Sequence, residues 1–152
     1  MKTIIISFFV LMSISLLSCK KEDPSINIPD QEGMWDCYHQ NNWNASKIAN
    51  EFSGKWKWVF TQNYWQPIAG RNTEDENIEI EFVNDSVLNI IQNGIISVST
   101  KWEIVPVDGD LFGLSSDSSI SFLYGRILIC GNTLEFNNTY LDGDDNYFLR
   151  TE

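Results

Sequence analysis

From Gly54 onward, apolar and polar residues alternate in short runs that are separated by turn residues. In the first run, Trp56, Trp58 and Phe60 fall on one face, and lysine and threonine fall on the other. An alternation of period two is typical of a β-strand that is buried on one face. Further runs of this kind occupy residues 78–82, 87–91, 96–104, 111–114, 120–130, 133–139 and 146–150. The pattern therefore predicts eight short strands.

The connections between these runs favour antiparallel neighbours. Asn93-Gly94 is a strong two-residue hairpin signal, Pro106 predicts the end of the fourth strand, and Gly125 predicts a bulge in the sixth. Most turns are tight, and no helical pattern separates the strands. Closing such a sheet on itself removes its exposed edges. The predicted fold class is all-β, an eight-stranded antiparallel up-and-down barrel.

A short helix is predicted before the first strand. Asn44 is a favourable N-cap residue, and Gly54 is a typical stop signal. Between them, Ile48 and Phe52 fall on one face of a helix over residues 45–53. We expect this helix to close one end of the barrel, and the chain before it to enter at the same end.

The loops at the opposite end are expected to form a mouth with an acidic, aromatic rim, because the long loop 63–76 and the acidic turn 142–145 both lie there. The predicted ligand pocket consists of inward-facing side chains and two aromatic residues of the long loop: Trp58, Phe60, Ile80, Phe82, Tyr64 and Trp65. An eight-stranded barrel can hold one small ligand. The acidic rim favours a ligand that is neutral or cationic and partly apolar.

An alternative function stays open at this point. The same aromatic side chains could fill the barrel completely, and the loops would then carry the function. The protein would in that case be a protein-interaction module, for example an inhibitor of hydrolases or an accessory subunit of a surface complex.

One structural contact follows from the predicted topology. In a barrel with an even number of strands, the last strand runs antiparallel beside the first. Arg150, at the end of the last strand, is therefore expected to lie near Trp56, at the start of the first. Stacking of the guanidinium on the indole would contribute about 0.5–2 kcal/mol.

The N-terminus has the layout of an export signal, since residues 3–17 are mostly apolar and carry no charge between Lys2 and Lys20. The apolar run is shorter than the roughly 20 residues that cross a bilayer as a helix. It ends in Leu16-Leu17-Ser18-Cys19, which resembles the bacterial lipobox. The resemblance implies that residues 1–18 are a cleaved signal peptide and that Cys19 carries the lipid, which anchors the chain firmly to a membrane. The alternative is an ordinary signal peptide followed by a coincidental cysteine.

The residues after the cysteine bear on where the chain resides. The tetrapeptide Lys20-Lys21-Glu22-Asp23 resembles the signal that directs lipoproteins of the Bacteroidota to the outer face of the outer membrane. An anchored position in the outer membrane is expected, either surface-exposed or facing the periplasm. Residues 19–34 are polar and contain prolines, so they are expected to form a flexible tether. Residues 35–152 are then the folded domain.

Charge and cysteine content narrow the partners and the chemistry. After loss of residues 1–18, nine Lys and Arg oppose twenty-one Asp and Glu, a formal net charge of −12, which makes nucleic acid a poor partner. Export allows Cys37 and Cys130 to form a disulfide, because the strand order directs both to the helix end, although two free thiols stay open. No metal-ligand spacing and no paired acid and base occur. We expect no enzymatic activity, no cofactor and no metal site.

The whole arrangement is similar to the lipocalin-like lipoproteins of the Bacteroidota, over residues 35–152. Gly54-Lys55-Trp56 stands where lipocalins carry Gly-x-Trp after a short N-terminal helix, and residues 63–76 stand where they carry a lid. The closing run of residues 134–150 is similar to the last hairpin of these lipoproteins. The resemblance implies a lipocalin-like barrel that binds a small ligand. Two features depart from it, because the chain has no Thr-Asp-Tyr near the turn between the sixth and seventh strands and no helix after the last strand.

Overall fold

Eight antiparallel strands close into a barrel in the computed structural model, which describes residues 27–65, 70–84 and 86–152. The strands are β1 Gly54–Gln62, β2 Arg71–Asn72, β3 Ile78–Val83, β4 Val87–Gln92, β5 Ile95–Asp108, β6 Leu111–Ser116, β7 Arg126–Cys130, β8 Thr133–Asn137 and β9 Asp145–Arg150. All except β2 belong to the barrel, and β2 is a short extra strand that pairs with the far end of β1. The predicted fold class is confirmed.

The barrel closes where the last strand returns to the first. Each barrel strand pairs with the next barrel strand in the sequence, and β9 pairs with β1 from Trp56 opposite Arg150 to Gln62 opposite Asp145. The Arg150 guanidinium lies 4.1 Å from the centre of the Trp56 ring and donates through Nη1 to the carbonyl of Ser53 at 2.8 Å. The contact predicted between the first and last strands is therefore confirmed.

Two predicted strand boundaries were wrong. The predicted strand over residues 120–130 is a strand only from Arg126, because Ser121–Leu123 forms a 3₁₀ turn and Gly125 takes a positive φ of 114°. A side chain on Gly125 would collide with the backbone of Asn137, so this position requires glycine. Pro106 was expected to end the fourth barrel strand, but β5 continues to Asp108. Pro106 has no N–H to donate to a neighbouring strand, and the shift in register between Pro106 and Asp108 accommodates it.

Two helices precede the barrel in the described residues, α1 Gln31–Gln40 and α2 Ala45–Phe52. The second is the predicted one, and its N-cap Asn44 accepts a hydrogen bond from the backbone of Lys47 at 2.9 Å. The first was not predicted. It begins within the segment expected to be tether. None of the described helices has the length and apolar character needed to span a bilayer.

Apolar side chains fill the inside of the barrel. We call this cluster the barrel core, and its aromatic members contact one another from α2 towards the mouth. The ring centres are 4.5 Å apart for Phe52 and Phe82, 5.0 Å for Phe82 and Trp102, and 5.8 Å for Phe136 and Phe148. Phe52 and Ile48 of α2 are fully buried in this core. The helix therefore closes one end of the barrel with aromatic and aliphatic packing.

A second cluster covers part of the outer surface of the barrel. We call it the outer cluster, and its buried members are Met34, Tyr38, Val59, Leu111, Leu128 and Tyr147. Helix α1 supplies the first two, and strands β1, β6, β7 and β9 supply the rest. A disulfide joins Cys37 of α1 to Cys130 at the end of β7, with Cα atoms 5.5 Å apart, which is one of the two alternatives that the sequence left open. Helix α1 is thus fixed against the outside of the barrel.

Candidate functional site

An open cleft of about 470 Å³ lies at the mouth, the end of the barrel opposite α2. Small-molecule sites usually measure about 300–1,000 Å³. The cleft is lined by residues from β1, β2, the 3₁₀ turn after β6 and the β8–β9 connection: Trp58, Thr61, Asn63, Arg71, Ser121, Phe122, Tyr124, Asn138, Asp142, Gly143, Asp144 and Asn146. Segments far apart in the sequence therefore meet at a single opening.

The apolar side of the cleft is a pair of stacked rings. Trp58 and Phe122 lie with their ring centres 5.1 Å apart and their planes at 18°. The Arg71 guanidinium lies 5.9 Å from the centre of the Trp58 ring. The indole Nε1 of Trp58 is buried and has no hydrogen-bond partner among the residues that the structure describes. An aromatic pair with an unused donor thus lies beside the polar walls.

A β-bulge decides which residues of β1 face the cleft. The register with β9 shifts between Trp58 and Phe60, so that Val59 is the extra residue. Beyond the bulge the alternation is reversed. Thr61 lines the cleft, whereas Phe60 packs against the outer cluster. The prediction that Phe60 belongs to the pocket was wrong, because a pattern of strict period two does not reveal a bulge.

Hydrogen bonds between the loops hold the polar walls in place. The Asn63 amide donates to the carboxylate of Asp144, and Asn146 donates to the carbonyl of Asp144 at 3.1 Å. Arg71 forms an ion pair with Glu76, which offsets its charge. The carboxylates of Asp142 and Asp144 give the cleft a negative character. The remaining polar groups of the walls are uncharged amides and hydroxyls.

The other predicted pocket residues are not gathered around one cavity. Ile80 and Phe82 are 0% and 2% exposed within the barrel core. Trp65 is 71% exposed, and Tyr64 lies beside Tyr147 on the outside of the barrel. Of the six predicted residues, only Trp58 lines the cleft in the part of the chain that the structure describes. Cys19 and residues 66–69 of the long loop lie outside the described residues.

Sequence reasoning missed several residues of the cleft, among them Arg71, Phe122, Tyr124 and Asn138. Phe122 and Tyr124 were assigned to a strand, although they belong to a turn that folds over the mouth. The signal that could have revealed the turn is Gly125, which was interpreted as a bulge. Asn138 is the first residue after β8, and the sequence does not indicate where the side chain of a residue beyond a strand end is directed.

A second polar group is buried under the outer cluster. Glu135, on the outer face of β8, is fully buried. The Asn137 amide donates to Glu135 Oε1 and to Asp145 Oδ2, both at 3.0 Å. Asp145 Oδ1 accepts from the backbone of Asn138 and Thr139 at 2.7 and 2.9 Å. Glu135 Oε2 has no hydrogen-bond partner among the described residues.

Burial raises the pKa values of the ionisable side chains in this group. Burial, with a further contribution from the charge of Asp145, raises the pKa of Glu135 to about 8, although hydrogen bonding from Asn137 opposes the change. Burial also raises the pKa of Asp145 and, with the charge of Glu135, that of Tyr147. Glu135 is therefore protonated at neutral pH. Its carboxyl is sealed from solvent and does not line the cleft.

Comparison with protein-family models found no match, and neither did comparison with curated proteins or with solved structures. The barrel and its cleft are therefore the basis on which a function is proposed.

Proposed function

We propose that this protein is a lipid-anchored binding protein of the outer membrane, and that its ligand site is the cleft at the mouth of the barrel. The observation that carries the proposal is the convergence of four separate segments on one opening, with the Trp58–Phe122 stack on one side and hydrogen-bonding groups on the others. Concave sites with a few placed polar groups are the usual form of a small-molecule site.

The packing of the barrel core supports a site at the mouth over one inside the barrel, because aromatic and aliphatic side chains occupy the interior. Phe82, Phe136 and Phe148 are at most 2% exposed, and their rings contact one another or the neighbouring aromatic side chains. Protein interiors packed at this density do not open without a large energetic cost. The proposal therefore differs from the expectation of a ligand deep inside the barrel.

Anchoring by Cys19 and location in the outer membrane are part of the proposal, supported by the lipobox-like residues 16–19 and the apolar run before them. Binding of a small ligand at the mouth involves no chemical reaction, and we propose that the protein is not an enzyme. The buried acid Glu135 is not a catalytic candidate, since substrate does not reach it.

Native mass spectrometry of the full chain, extracted from its own membrane in detergent, tests the proposal. We expect a bound mass in addition to the lipid of the anchor. That mass should be reduced in Asn138→Ala, which removes a cleft amide, and retained in Asn132→Ala, the same change at the exposed turn between β7 and β8 at the opposite end. Equal occupancy in the two variants would place the ligand elsewhere.

A second candidate function is favoured by the exposed apolar side chains around the mouth. Trp65 and Ile95 are each 71% exposed, and Leu141 is 66% exposed, although solvent exposure of large apolar groups is unfavourable. Trp65 follows β1, Ile95 begins β5 and Leu141 precedes β9. All three therefore lie at the mouth end. A protein partner would cover them. Photo-crosslinking from position 95 that captures one specific protein, together with an empty cleft, would favour this candidate.

A further inference from the structure

We infer that the ligand of the mouth cleft is a saccharide, neutral or carrying an amino group. This inference rests on the proposed function of the cleft and names the chemical class that it takes. It is drawn from the hydrogen-bonding groups, the charge and the aromatic surface of the cleft.

The uncharged polar groups of the cleft suit a ligand that carries hydroxyls. Thr61 and Ser121 carry hydroxyls, and Asn138 and Asn146 carry amides. A hydroxyl or an amide both donates and accepts, and so does each hydroxyl of a sugar. The side-chain amide of Asn138 makes no hydrogen bond within the described residues, and the side-chain amide of Asn146 donates one hydrogen bond, to the carbonyl of Asp144. Hydrogen-bonding capacity is therefore left for a ligand.

The charges of the cleft disfavour an anion. Arg71 is engaged by Glu76, and the carboxylates of Asp142 and Asp144 lie on the same walls. Among the described residues that line the cleft, a phosphate or carboxylate would meet these negative groups and no unpaired cation that could offset them. A hydroxyl can instead donate to a carboxylate, and an ammonium group can pair with it. Neutral sugars and amino sugars satisfy this condition.

The aromatic surface suits the face of a sugar ring. Phe122 is partly exposed and is held by its stack on Trp58, and Tyr124 beside it is 45% exposed. The C–H face of a sugar packs on such rings while its hydroxyl edge meets the polar walls. A fatty or sterol-like ligand would use the rings but would leave the amides and hydroxyls buried without partners, which is unfavourable. Since the cleft is open to solvent, the sugar can be part of a longer chain.

Binding measurements on the full-length protein test the inference, in a detergent without a sugar headgroup such as lauryldimethylamine oxide. The probes are neutral trisaccharides of glucose (α- and β-linked), mannose, galactose, xylose and N-acetylglucosamine, together with trigalacturonate, the glucosamine trisaccharide and laurate. Isothermal titration calorimetry and tryptophan fluorescence report binding. We expect at least one neutral trisaccharide to bind, and trigalacturonate to bind at least about tenfold more weakly than that trisaccharide.

Matched variants link the binding to the cleft. Asn138→Ala should weaken the binding of the neutral trisaccharide by roughly three- to tenfold, the effect of losing one or two hydrogen bonds, and Asn132→Ala should not. Asp142 has a positive φ of 60°, a conformation that asparagine also tolerates, so Asp142→Asn keeps the backbone. It should weaken binding of the glucosamine trisaccharide more than that of the N-acetylated one. Asp110→Asn, the same change of charge at the opposite end, should affect neither.

Two results would overturn the inference in different ways. Binding of laurate alone, lost in Asn138→Ala and kept in Asn132→Ala, would refute the saccharide class while leaving the cleft as the binding site. If no probe binds and native mass spectrometry finds no ligand, both the saccharide class and the proposed function fail.

Discussion

The proton held by Glu135 should make the protein less stable as the pH rises. In the folded state the pKa of this carboxyl is about 8, whereas its ordinary value is 4.5. Below pH 4.5 the carboxyl is protonated in both states, and this contribution to stability is fully present. Between pH 4.5 and 8 the unfolded chain releases the proton and the folded chain keeps it. Stability therefore decreases across this range and levels off above pH 8.

The size of the effect follows from the two pKa values. A difference of about 3.5 between them corresponds to at most about 5 kcal/mol, at 1.36 kcal/mol for each pH unit. That is a large part of the 5–15 kcal/mol that typically stabilises a domain. Burial raises the pKa of Asp145 as well, so its contribution has the same sign. The wild-type protein is thus expected to be markedly more stable at pH 5 than at pH 8.

The substitution Glu135→Gln isolates this contribution. Glutamine has the shape of the protonated acid and can still accept the hydrogen bond of Asn137. The free energy of unfolding, measured by urea denaturation of the oxidised protein from pH 4.5 to 8.5, should vary less with pH than in wild type. At pH 8 the variant should be more stable by up to a few kcal/mol. Glu103→Gln, at an exposed position on β5, serves as the matched control and should follow the wild-type profile.

Parallel pH profiles for wild type and Glu135→Gln would refute the reasoning, because the buried proton would then not reside on this carboxyl. A decrease in stability below pH 5 that occurs in wild type and is absent from Glu135→Gln would also contradict it, since it would show that Glu135 is ionised in the folded state.

Three further predictions concern the anchor and the two long-range contacts. Cys19→Ala should release the protein from membranes or leave it as a precursor, and palmitate labelling that persists in this variant would refute lipidation there. Replacing Cys37 and Cys130 by serine removes a crosslink between residues 93 apart and should lower the free energy of unfolding by about 4 kcal/mol in the chain-entropy model, unless denatured, unreduced wild type already contains two free thiols. Arg150→Lys should lower the melting temperature by a few degrees, because lysine does not keep both the stack on Trp56 and the bond to the Ser53 carbonyl; an unchanged melting temperature would show that neither contact contributes.

The features that the sequence could predict are those set by regular periodicity and strand order. Alternation defines the strands, and an even number of strands brings Arg150 to Trp56 and directs Cys130 towards Cys37. Both contacts follow from topology and need no knowledge of how side chains pack. The same holds for α2, whose N-cap Asn44 and apolar face are visible in the sequence.

Features that depend on local irregularity or on tertiary packing were beyond the sequence. The bulge at Val59 moves Phe60 out of the barrel, and nothing in the pattern marks it. Helix α1 has only Met34 and Tyr38 buried, so its amphipathic pattern is weak, and it is held by the disulfide and the outer cluster. Leu134 and Phe136 face the inside of the barrel, so the alternation puts Glu135 on the outer face. A sequence analysis that does not predict α1 would therefore expect Glu135 to be exposed to solvent, whereas it is buried.

The course of α1 also corrects the expectation of where the N-terminal chain reaches the barrel. The helix ends near the closed end of the barrel, where Tyr38 donates to the carbonyl of Asp110 at 3.2 Å. Helix α1 begins on the mouth side. Burial is the largest cause of the raised pKa of Tyr64, and the charges of Asp145, Glu135 and Asp30 add to it. Asp30, the N-cap residue of α1, therefore lies in the neighbourhood of Tyr64, which follows β1 at the mouth. The chain therefore reaches the barrel beside the mouth, whereas we had expected it to enter at the closed end. The segment from Cys19 to Asp30 can span at most about 40 Å at 3.3–3.6 Å per residue. That reach exceeds the length of α1, about 15 Å at 1.5 Å per residue. The proposed lipid anchor at Cys19 would therefore allow the cleft to face either towards the membrane or away from it.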